Sequence, residues 1–515
     1  MDARFEAALK LLPQYLGWHV VLSASALLLG ILIATPLAVL ASRRRAVRAV
    51  SLSLAGVVQT IPSLALLALF FPLLLLLASA SKRLTGVGFS ALGFLPSLLA
   101  LTLYSLLPIL RNGVAALEGV GVGPKDAARA LGLSDLQQLV LVEAPVAAPV
   151  YMAGVRTAAV WVIGTATLAT PVGQTCLGNY IFTGLQTENW VEVLFGCAAA
   201  ALLAILVDAL LMLVEAGVRR GRATLVIGGV AGLLLGTAAA ALPVLSQPPA
   251  AYVVGAKNFS EQFILAELIT RRLETEGAQV RRRDGLGSAV AFRALAANEI
   301  DVYVDYAGTL WTTVLGRRDM PDRATLLREL GLELKRRDGV TVFGPLGFEN
   351  AYALTMTSAR ARSLGVRSLA DLASRAPGLK IGGDIEFFDR PEWARVERAY
   401  GLSFRSRRTY QPTFMYRALE SGDVDVISAF SSDGRIAADR LTVLSDPRRA
   451  IPPYDAVLLL APGRAHDQRL MRALKPLVGA IGVDQMRQAN YAVDGQGKTP
   501  GQAAAMLIRT LPPTP

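Results

Sequence analysis

The chain has 515 residues, of which 53% are hydrophobic, with a mean hydropathy of +0.44 and a formal net charge of +12. It is too apolar for an ordinary soluble protein and too charged for one that lies entirely in a membrane. Two cysteines and two histidines, far apart in sequence, argue against a metal site, and no recognition motif connects the positive charge with nucleic acid. Residues 1–246 are rich in Leu, Ala and Val, and a change in composition near 247 begins a mixed globular half.

Long apolar runs dominate the first half. A run of about 20 such residues spans a bilayer as a helix. Because arginines follow the first run and no small-residue cleavage site does, it is a retained span and not a signal peptide. The sequence therefore predicts an α-helical membrane bundle of six transmembrane helices, near 18–41, 51–78, 91–110, 147–170, 191–216 and 223–246.

Basic residues in short loops predict the orientation, because Lys and Arg favour the cytoplasmic side. Loops 42–48, 111–143 and 219–222 carry most of them, and all three fall on one side of the six-span arrangement. We therefore expect these loops in the cytoplasm and the N-terminus outside. After six spans the second half is extracytoplasmic.

The cytoplasmic loop between the third and fourth spans contains PKDAARALGLSDLQQLVLVEAP at 124–145. This pattern predicts a short helix with an apolar side that ends at Gly132. From residues alone, a plain connecting helix at the membrane surface is an alternative. The spacing of the polar and small residues is more specific: Asp126, Ala127 and Ala128, three residues, Gly132, nine residues, Val142, one residue, then Ala144 and Pro145.

This spacing resembles the EAA loop of ABC-importer permeases, with Asp126 in place of Glu and mild changes at 142 and 144. In that family the loop lies in a groove of a separate ATPase subunit. The resemblance implies a permease domain, residues 1–246, in a bacterial inner (cytoplasmic) membrane, in contact with lipid. Gly132 would permit the turn and Pro145 would start the next helix.

The chain itself is expected to be a transporter subunit and not an enzyme. The stretch GQGKT at 495–499 is not a P-loop, because Ala492 stands where the first glycine is needed. ATP would be bound and hydrolysed by the partner ATPase, so we expect no cofactor and no metal on this chain.

One further stretch of the membrane half is irregular. Pro171, Gly173, Gly178 and Gly184 interrupt a regular span within 165–186. Irregular backbone at membrane depth is tolerated inside protein or along a cavity. The stretch is either an outer gate or pathway segment, or an ordinary outside loop with a short interfacial helix.

The second half alternates strand and helix patterns. Strand candidates lie at 251–256, 300–306, 352–356, 379–383, 424–430 and 456–462, and a helix at 260–277 has Ser260 as its N-cap. Such alternation predicts parallel sheets with a ligand crevice at the carboxyl ends of strands. About 265 residues exceed one core. We predict a linker at 247–251 and a two-lobed α/β substrate-binding domain, of the periplasmic-binding-protein type, at 252–515.

Five segments of this half resemble osmoprotectant-type substrate-binding proteins, which bind glycine betaine, choline and related compounds: KNFSEQFILAE (257–267), DVYVDYAGT (301–309), PLGFENAYAL (345–354), FSSDGRI (430–436) and PPYDAV (452–457). Fusion of a permease and a binding domain in one chain also resembles a known subtype. Members of that subtype carry glycine betaine-like osmolytes or ergothioneine.

A quaternary ammonium has no N–H to donate, so a protein holds it against the negative faces of aromatic rings. By segment match the family's aromatic cage falls on Tyr306, Tyr352, Phe430 and Tyr454. Arg390 is the best candidate for a betaine carboxylate, because a guanidinium binds carboxylates in a bidentate manner. The segments also assign Thr309, Gln262 and Asn350 to the site.

The sequence therefore predicts an ABC importer subunit for a quaternary-ammonium compound. An importer needs two permease halves around one pathway, so we expect a homodimer with a cytoplasmic ABC ATPase. Three alternatives stay open at this stage. They are an importer of another solute such as a basic amino acid, with Asp305 as its acidic contact, a ligand-sensing membrane receptor, and a membrane-anchored enzyme. The last lacks an evident nucleophile and base.

Overall fold

The computed structural model of the chain describes residues 3–86, 88–187, 189–246, 250–319, 321–384, 387–410 and 412–511. Two compact units divide the chain, the first comprising 1–184 with 190–248 and the second comprising 185–189 with 249–515. The first is helical and the second is an α/β domain with two sheets, which confirms the predicted fold class. Most of the predicted linker, at 247–249, lies outside the described residues.

The membrane unit is built from helices joined by short connections. Their bounds are α1 Ala3–Arg43, α2 Arg45–Thr60, α3 Ser63–Thr85, α4 Phe94–Glu118, α5 Val122–Ala130, α6 Asp135–Gln138, α7 Ala144–Ala166, α8 Gly178–Gln186, α9 Trp190–Arg220 and α10 Ala223–Leu245. A π turn, Leu139–Glu143, joins α6 to α7, and a 3₁₀ turn, Thr167–Val172, follows α7.

Within the described residues, six helical stretches are long and apolar enough to cross a membrane, as predicted: Arg4–Arg43, Ser63–Thr85, Phe94–Glu118, Asp135–Val172, Trp190–Arg220 and Ala223–Leu245. The small residues Ala34, Ala38 and Ala158 are buried between them. A methyl group on Gly113 would lie 2.8 Å from the Cβ of Ala38. Small residues of this kind let membrane helices approach closely.

The second predicted span, 51–78, is wrong as a single helix. α2 ends at Thr60 and α3 begins at Ser63. Ile61 precedes Pro62 and has an extended backbone with ψ 126°, because the proline ring disfavours a helical conformation for the residue before it. The crossing helix is α3, so the number of spans and the predicted orientation are unaffected.

The irregular stretch at 165–186 is packed protein. Thr170, Cys176 and Asn179 are buried, and the Cys176 N–H donates to Asn179 Oδ1 at 2.8 Å. The stretch contains the short helix α8, Gly178–Gln186, so an ordinary outside loop with a short interfacial helix stays an alternative to a gate or pathway segment. A role in the pathway stays a prediction.

Two five-stranded sheets form the second unit in the part of the chain that the structure describes, with strand orders β2-β1-β3-β10-β4 and β7-β6-β8-β5-β9. The strands are β1 Tyr252–Lys257, β2 Val280–Leu286, β3 Val302–Tyr306, β4 Thr341–Glu349, β5 Tyr352–Thr357, β6 Lys380–Asp384, β7 Ser406–Tyr410, β8 Val426–Phe430, β9 Leu441–Val443 and β10 Asp455–Leu460. The two sheets are the two predicted lobes.

The prediction of parallel sheets is only partly correct. β1 pairs in parallel with β2 and β3, and β6 with β7 and β8. β10 is antiparallel to β3 and β4, and β5 is antiparallel to β8 and β9. The reason is that β5 and β10 each begin where the chain passes from one sheet into the other, at the edge where β3 and β8 end.

Helices cover both sheets: α11 Ser260–Thr275, α12 Ser288–Ala296, α13 Ala307–Thr309, α14 Arg323–Asp338, α15 Ser358–Leu364, α16 Leu369–Arg375, α17 Pro391–Tyr400, α18 Pro412–Glu420, α19 Arg435–Ala438, α20 Gln468–Leu474, α21 Val483–Asp494 and α22 Pro500–Thr510. Ser260 is not the N-cap that the sequence predicted. Phe259 holds the extended cap conformation, and the Ser260 hydroxyl donates to Asp494 instead.

Candidate functional site

A cavity of about 360 Å³ lies in the second unit at the edge where strands of both sheets end. This volume is within the range usual for small-molecule sites. Among its lining residues are seven of the eight predicted binding residues, namely Tyr306, Thr309, Asn350, Tyr352, Arg390, Phe430 and Tyr454.

Strand direction explains how the four aromatic residues come together. Tyr306 is the last residue of β3 and Phe430 is the last residue of β8. Tyr352 begins the antiparallel strand β5 and pairs in register with Phe430. Tyr454 immediately precedes β10, whose Ala456 pairs with Tyr306. The ends of two strands and the starts of their antiparallel neighbours therefore meet at one edge.

Tyr352 is the central ring of the cluster. Its centroid lies 5.0 Å from that of Phe430 and 6.2 Å from that of Tyr454, and the Tyr454 ring meets it edge-on at 90°. On the other side of the cavity, the Tyr306 ring stacks on Phe259 at 6.1 Å. Gly308 lies directly against the Tyr454 ring, since a Cβ there would be 2.7 Å from its Cζ.

Arg390 supplies a positive group to the same wall. It is the N-cap residue of α17, and its Cζ lies 5.5 Å from the centroid of the Tyr352 ring. A guanidinium in this position can bind a carboxylate while it rests on the face of an aromatic ring.

Gln262 lies behind the wall and not on it, which corrects its predicted role. Its side chain is buried within α11, and Nε2 donates to the Tyr306 hydroxyl at 3.1 Å. Its Oε1 accepts from the Lys257 N–H at 3.3 Å. Gln262 therefore positions Tyr306, because the helix turns its side chain toward the strand and away from the cavity.

Two buried carboxylates beside the cage escaped sequence analysis. Glu261 accepts from the Tyr306 hydroxyl at 2.6 Å and from the side-chain amides of Asn350 and Asn490 at 3.0 and 2.8 Å. Burial raises the pKa of Glu261 above its usual value, and these hydrogen bonds oppose the shift. A carboxylate at the start of a largely apolar helix was the available signal for Glu261.

The second carboxylate belongs to Glu392, on α17. It is buried and accepts a hydrogen bond from the Tyr454 hydroxyl. Burial, and after it the charge of Glu392, raises the pKa of Tyr454 far above the usual range, so the phenol keeps its proton. Glu392 and Tyr454 are 62 positions apart in sequence, and no local pattern indicates their contact.

Asp305, the acidic contact expected for a basic amino acid, is engaged behind the cage. It is buried and ion-paired with Lys257. It also accepts hydrogen bonds from the Tyr303 hydroxyl at 2.6 Å and from the Tyr306 N–H at 2.7 Å. These contacts leave it stabilising the local structure and not facing the cavity.

The second predicted site is the loop at 124–145, in the membrane unit. α5 is followed by Gly132 in a left-handed conformation, with φ +74°, as the predicted turn requires. Asp126 and Ala127 are exposed and Ala128 is buried. Asp126 accepts from Arg129 at 3.3 Å.

Pro145 lies in the first turn of α7, as predicted, although helical backbone already leads into that helix. Helical backbone begins at Asp135, with Ser134 as its cap, and continues through the π turn into α7. The π turn accommodates the proline, whose missing N–H would interrupt a regular α-helix. The same turn holds Glu143, buried and bound by Arg43 at 3.0 Å through both carboxylate oxygens.

Beside Gly132 the loop exposes large apolar side chains. Val122, Leu131 and Leu136 have exposed fractions of 72%, 80% and 69%. Lys125 donates to the Leu117 carbonyl at 3.1 Å and ties the loop to the end of α4. An exposed apolar patch at a helix turn is suited to contact with another protein.

Comparison with known families assigns both halves of the chain. Residues 250–509 match the family described as the substrate binding domain of an ABC-type glycine betaine transport system. Residues 26–220 match the binding-protein-dependent transport system inner membrane component. The two matches confirm the resemblances seen in the sequence.

Curated relatives show the same division. The ergothioneine transport permease/ergothioneine binding protein EgtU of Helicobacter pylori (strain G27) is 28% identical over 482 residues, 90% of this chain and 84% of that protein. The choline transport system permease protein OpuBB of Bacillus subtilis (strain 168) is 38% identical over 197 residues, 38% of this chain and 83% of that protein. The carnitine transport binding protein OpuCC of Listeria monocytogenes is 26% identical over 263 residues, 50% of this chain and 85% of that protein.

These relatives are transport proteins, and the six apolar helices make this chain a multi-pass membrane protein. The binding domain is of the type found outside the cytoplasm. The chain therefore belongs to the ABC-type glycine betaine transport family, with an inner membrane component and a substrate binding domain fused in one polypeptide.

Proposed function

We propose that this chain imports a quaternary-ammonium compound, namely glycine betaine, choline or a related betaine such as ergothioneine, by ATP-driven alternating access. The observation that carries the proposal is the aromatic cage, since Tyr306, Tyr352, Phe430 and Tyr454 line one cavity of about 360 Å³. Each ring face contributes roughly 0.5–2 kcal/mol to binding of a cation, depending on how far the pair is desolvated.

Arg390 extends the proposal to the anionic end of a betaine. It lines the same cavity, with its guanidinium carbon 5.5 Å from the Tyr352 ring centroid. A ligand with an ammonium at one end and a carboxylate at the other can therefore contact rings and guanidinium together. Thr309 and Asn350, also in the wall, offer hydrogen bonds to its polar groups.

The membrane unit would work with a separate ATPase on the cytoplasmic side. The exposed side chains of Leu131 and Ala127 next to the turn at Gly132 support docking of that subunit. In the proposed assembly two copies of this chain form a homodimer in the bacterial inner membrane. Their binding domains, residues 252–515, are extracytoplasmic and close over the ligand before release into the pathway.

A basic amino acid is the second candidate solute. The acidic residues in the cavity wall are Glu261, Asp384, Asp433 and Asp494. The position of Asp305 counts against its expected role as the acidic contact. Its ion pair with Lys257 and two further hydrogen bonds occupy the carboxylate behind Tyr306. Arg390 in the cavity wall would also repel a second guanidinium. A ligand-sensing receptor stays an alternative, and it requires no docking surface at 124–145.

Calorimetric titration tests the proposal. The full-length chain in lipid nanodiscs is titrated with glycine betaine, choline, carnitine, ergothioneine and arginine. We expect tight binding of at least one quaternary ammonium and its loss in Tyr306→Ala and Tyr454→Ala. Binding of arginine alone would contradict the aromatic cage.

A further inference from the structure

Two tyrosines of the cage donate their hydroxyl protons to buried carboxylates. Tyr454 donates to Glu392, and Tyr306 donates to Glu261 at 2.6 Å. Both glutamates are buried, with exposed fractions of 1% and 3%. Glu392 Oε2 has no hydrogen-bond partner among the residues that the structure describes. Its Oε1 accepts from the Tyr454 hydroxyl and, at 3.5 Å, from the Thr312 hydroxyl.

A phenol that donates a hydrogen bond to an anion presents a more electron-rich ring to a ligand than a free phenol does. A charge-assisted hydrogen bond is shorter and stronger than a neutral one, and hydrogen-bonded groups polarise one another in a low-dielectric environment. The carboxylate draws the hydroxyl proton and increases the electron density of the ring. The face of that ring becomes more negative and attracts a cation more strongly.

The positive charge of Arg390 makes such compensation necessary. It lines the same cavity, and in the absence of a ligand carboxylate it would repel an ammonium group. On the far side, Lys257 Nζ lies 5.5 Å from the centroid of the Tyr306 ring. Lys257 therefore competes with a ligand cation for the face of Tyr306, and no such cation contact is found at the Tyr454 ring in the part of the chain that the structure describes.

On the basis of the proposed function, we propose that Glu392 and, more weakly, Glu261 are specificity-determining positioning residues. Through the hydroxyls of Tyr454 and Tyr306, their charges make the cage prefer a permanently cationic head group over an uncharged group of the same shape. Neither carboxylate is required to touch the ligand.

A pair of isosteric ligands tests the inference. Choline and 3,3-dimethylbutan-1-ol differ only in that carbon replaces the charged nitrogen, and glycine betaine and 3,3-dimethylbutanoate differ in the same way. Affinities of both members of each pair are measured on the full-length chain in nanodiscs. The readout is the ratio of the two dissociation constants. A loss of shape or of folding would change both constants together and leave their ratio unchanged.

Glu392→Gln keeps a carbonyl oxygen that can accept from Tyr454, removes the charge and replaces the other oxygen by an NH2 group of similar size. We expect its preference for the cation to fall about tenfold, while the neutral isostere binds as before. Glu261→Gln should show a smaller fall. Glu397→Gln is the matched control, because Glu397 lies on the same helix, pairs with Arg407 and is not part of the cavity wall.

An unchanged ratio in Glu392→Gln, in a wild-type background that prefers the cation, would overturn the inference and leave the proposed function intact. If no quaternary ammonium binds the wild-type chain, that result contradicts both the inference and the proposed function. Should Glu392→Gln not fold, Tyr454→Phe carries the test, because it keeps the ring and removes the connection to Glu392. A retained ratio in Tyr454→Phe would then contradict the inference.

Discussion

At the scale of single residues, Gly308 determines where the Tyr454 ring can lie. An added Cβ would be 2.7–2.8 Å from three atoms of that ring, closer than carbon atoms approach without displacement. Gly308→Ala should therefore move the ring and weaken quaternary-ammonium binding by about tenfold, the value of one displaced cation–π contact. Calorimetric titration measures the loss.

The matched control for that variant is Gly331→Ala. Gly331 lies within α14, and its added Cβ would meet Val342 only at 3.9 Å, an ordinary contact. We expect unchanged ligand binding and a chain as stable as the wild type or more stable by up to about 1 kcal/mol, since alanine favours helix over glycine. Equal binding in both alanine variants would contradict the assigned packing of Tyr454.

Arg390 is expected to favour ligands that carry a carboxylate over ligands that do not. Arg390→Met removes the guanidinium but keeps much of the side-chain volume. Binding of glycine betaine and carnitine should weaken by about ten- to a hundredfold, the range expected when a charge-assisted contact of roughly 1.5–3 kcal/mol is lost. Choline has no carboxylate and should bind as well or better. A loss of the same size for choline would show that Arg390 only supports the fold.

Sequence reasoning reached seven residues of the cavity wall and missed others, such as Phe259, Glu261 and Arg435, as well as Glu392 beside the wall. Tyr306, Tyr352, Phe430 and Tyr454 stand at strand ends, and a strand end is visible in the local pattern. The direction of Gln262 depends on how α11 packs on β3. The contact of Tyr454 with Glu392 joins positions far apart in the chain, so no local pattern encodes it.

At the scale of elements, the turn after α5 presents exposed apolar side chains, which we propose as the docking surface for the ATPase. Leu131 is 80% exposed beside Gly132, so Leu131→Asp should leave the fold unchanged. We expect it to prevent association of the ATPase, because a charge without a partner would be buried at the interface. Co-purification of the ATPase measures the effect, and ligand affinity should not change.

Leu84→Asp serves as the control for that substitution. Leu84 is 85% exposed near the end of α3 and lies on the opposite side of the six-span arrangement. Ala128→Asp would be a poorer test, because Ala128 is buried and its replacement would disturb the loop itself. Retained ATPase in Leu131→Asp, or its loss in Leu84→Asp, would place the docking surface elsewhere.

Apolar runs and strand patterns predicted most helices and strands. They failed where a single proline divides a helix and where the path of the chain between two sheets sets the direction of a strand. Pro62 divides the predicted second span into α2 and α3. Hydropathy averaged over a window does not register a single proline. The antiparallel strands β5 and β10 follow passages of the chain between two sheets, and periodicity within a strand carries no information on its direction.

At the scale of the whole molecule, the proposed importer would form its pathway between two permease halves, each supplied by one copy of this chain. Each copy has its own binding domain, residues 250–509. We therefore expect two copies of the chain and two ATPase subunits in the purified complex, and two ligand sites. Native mass spectrometry gives the stoichiometry, and one copy of the chain per ATPase pair would exclude the homodimer.

Uptake by proteoliposomes tests the central claim most directly, because it separates an importer from a receptor. The chain is reconstituted with its co-purified ATPase, and accumulation of radiolabelled choline and glycine betaine is followed with ATP on the side opposite the binding domains. We predict ATP-dependent accumulation of at least one of them, which Tyr454→Ala and Leu131→Asp each abolish. Tight binding of the ligand without ATP-dependent accumulation would contradict the account.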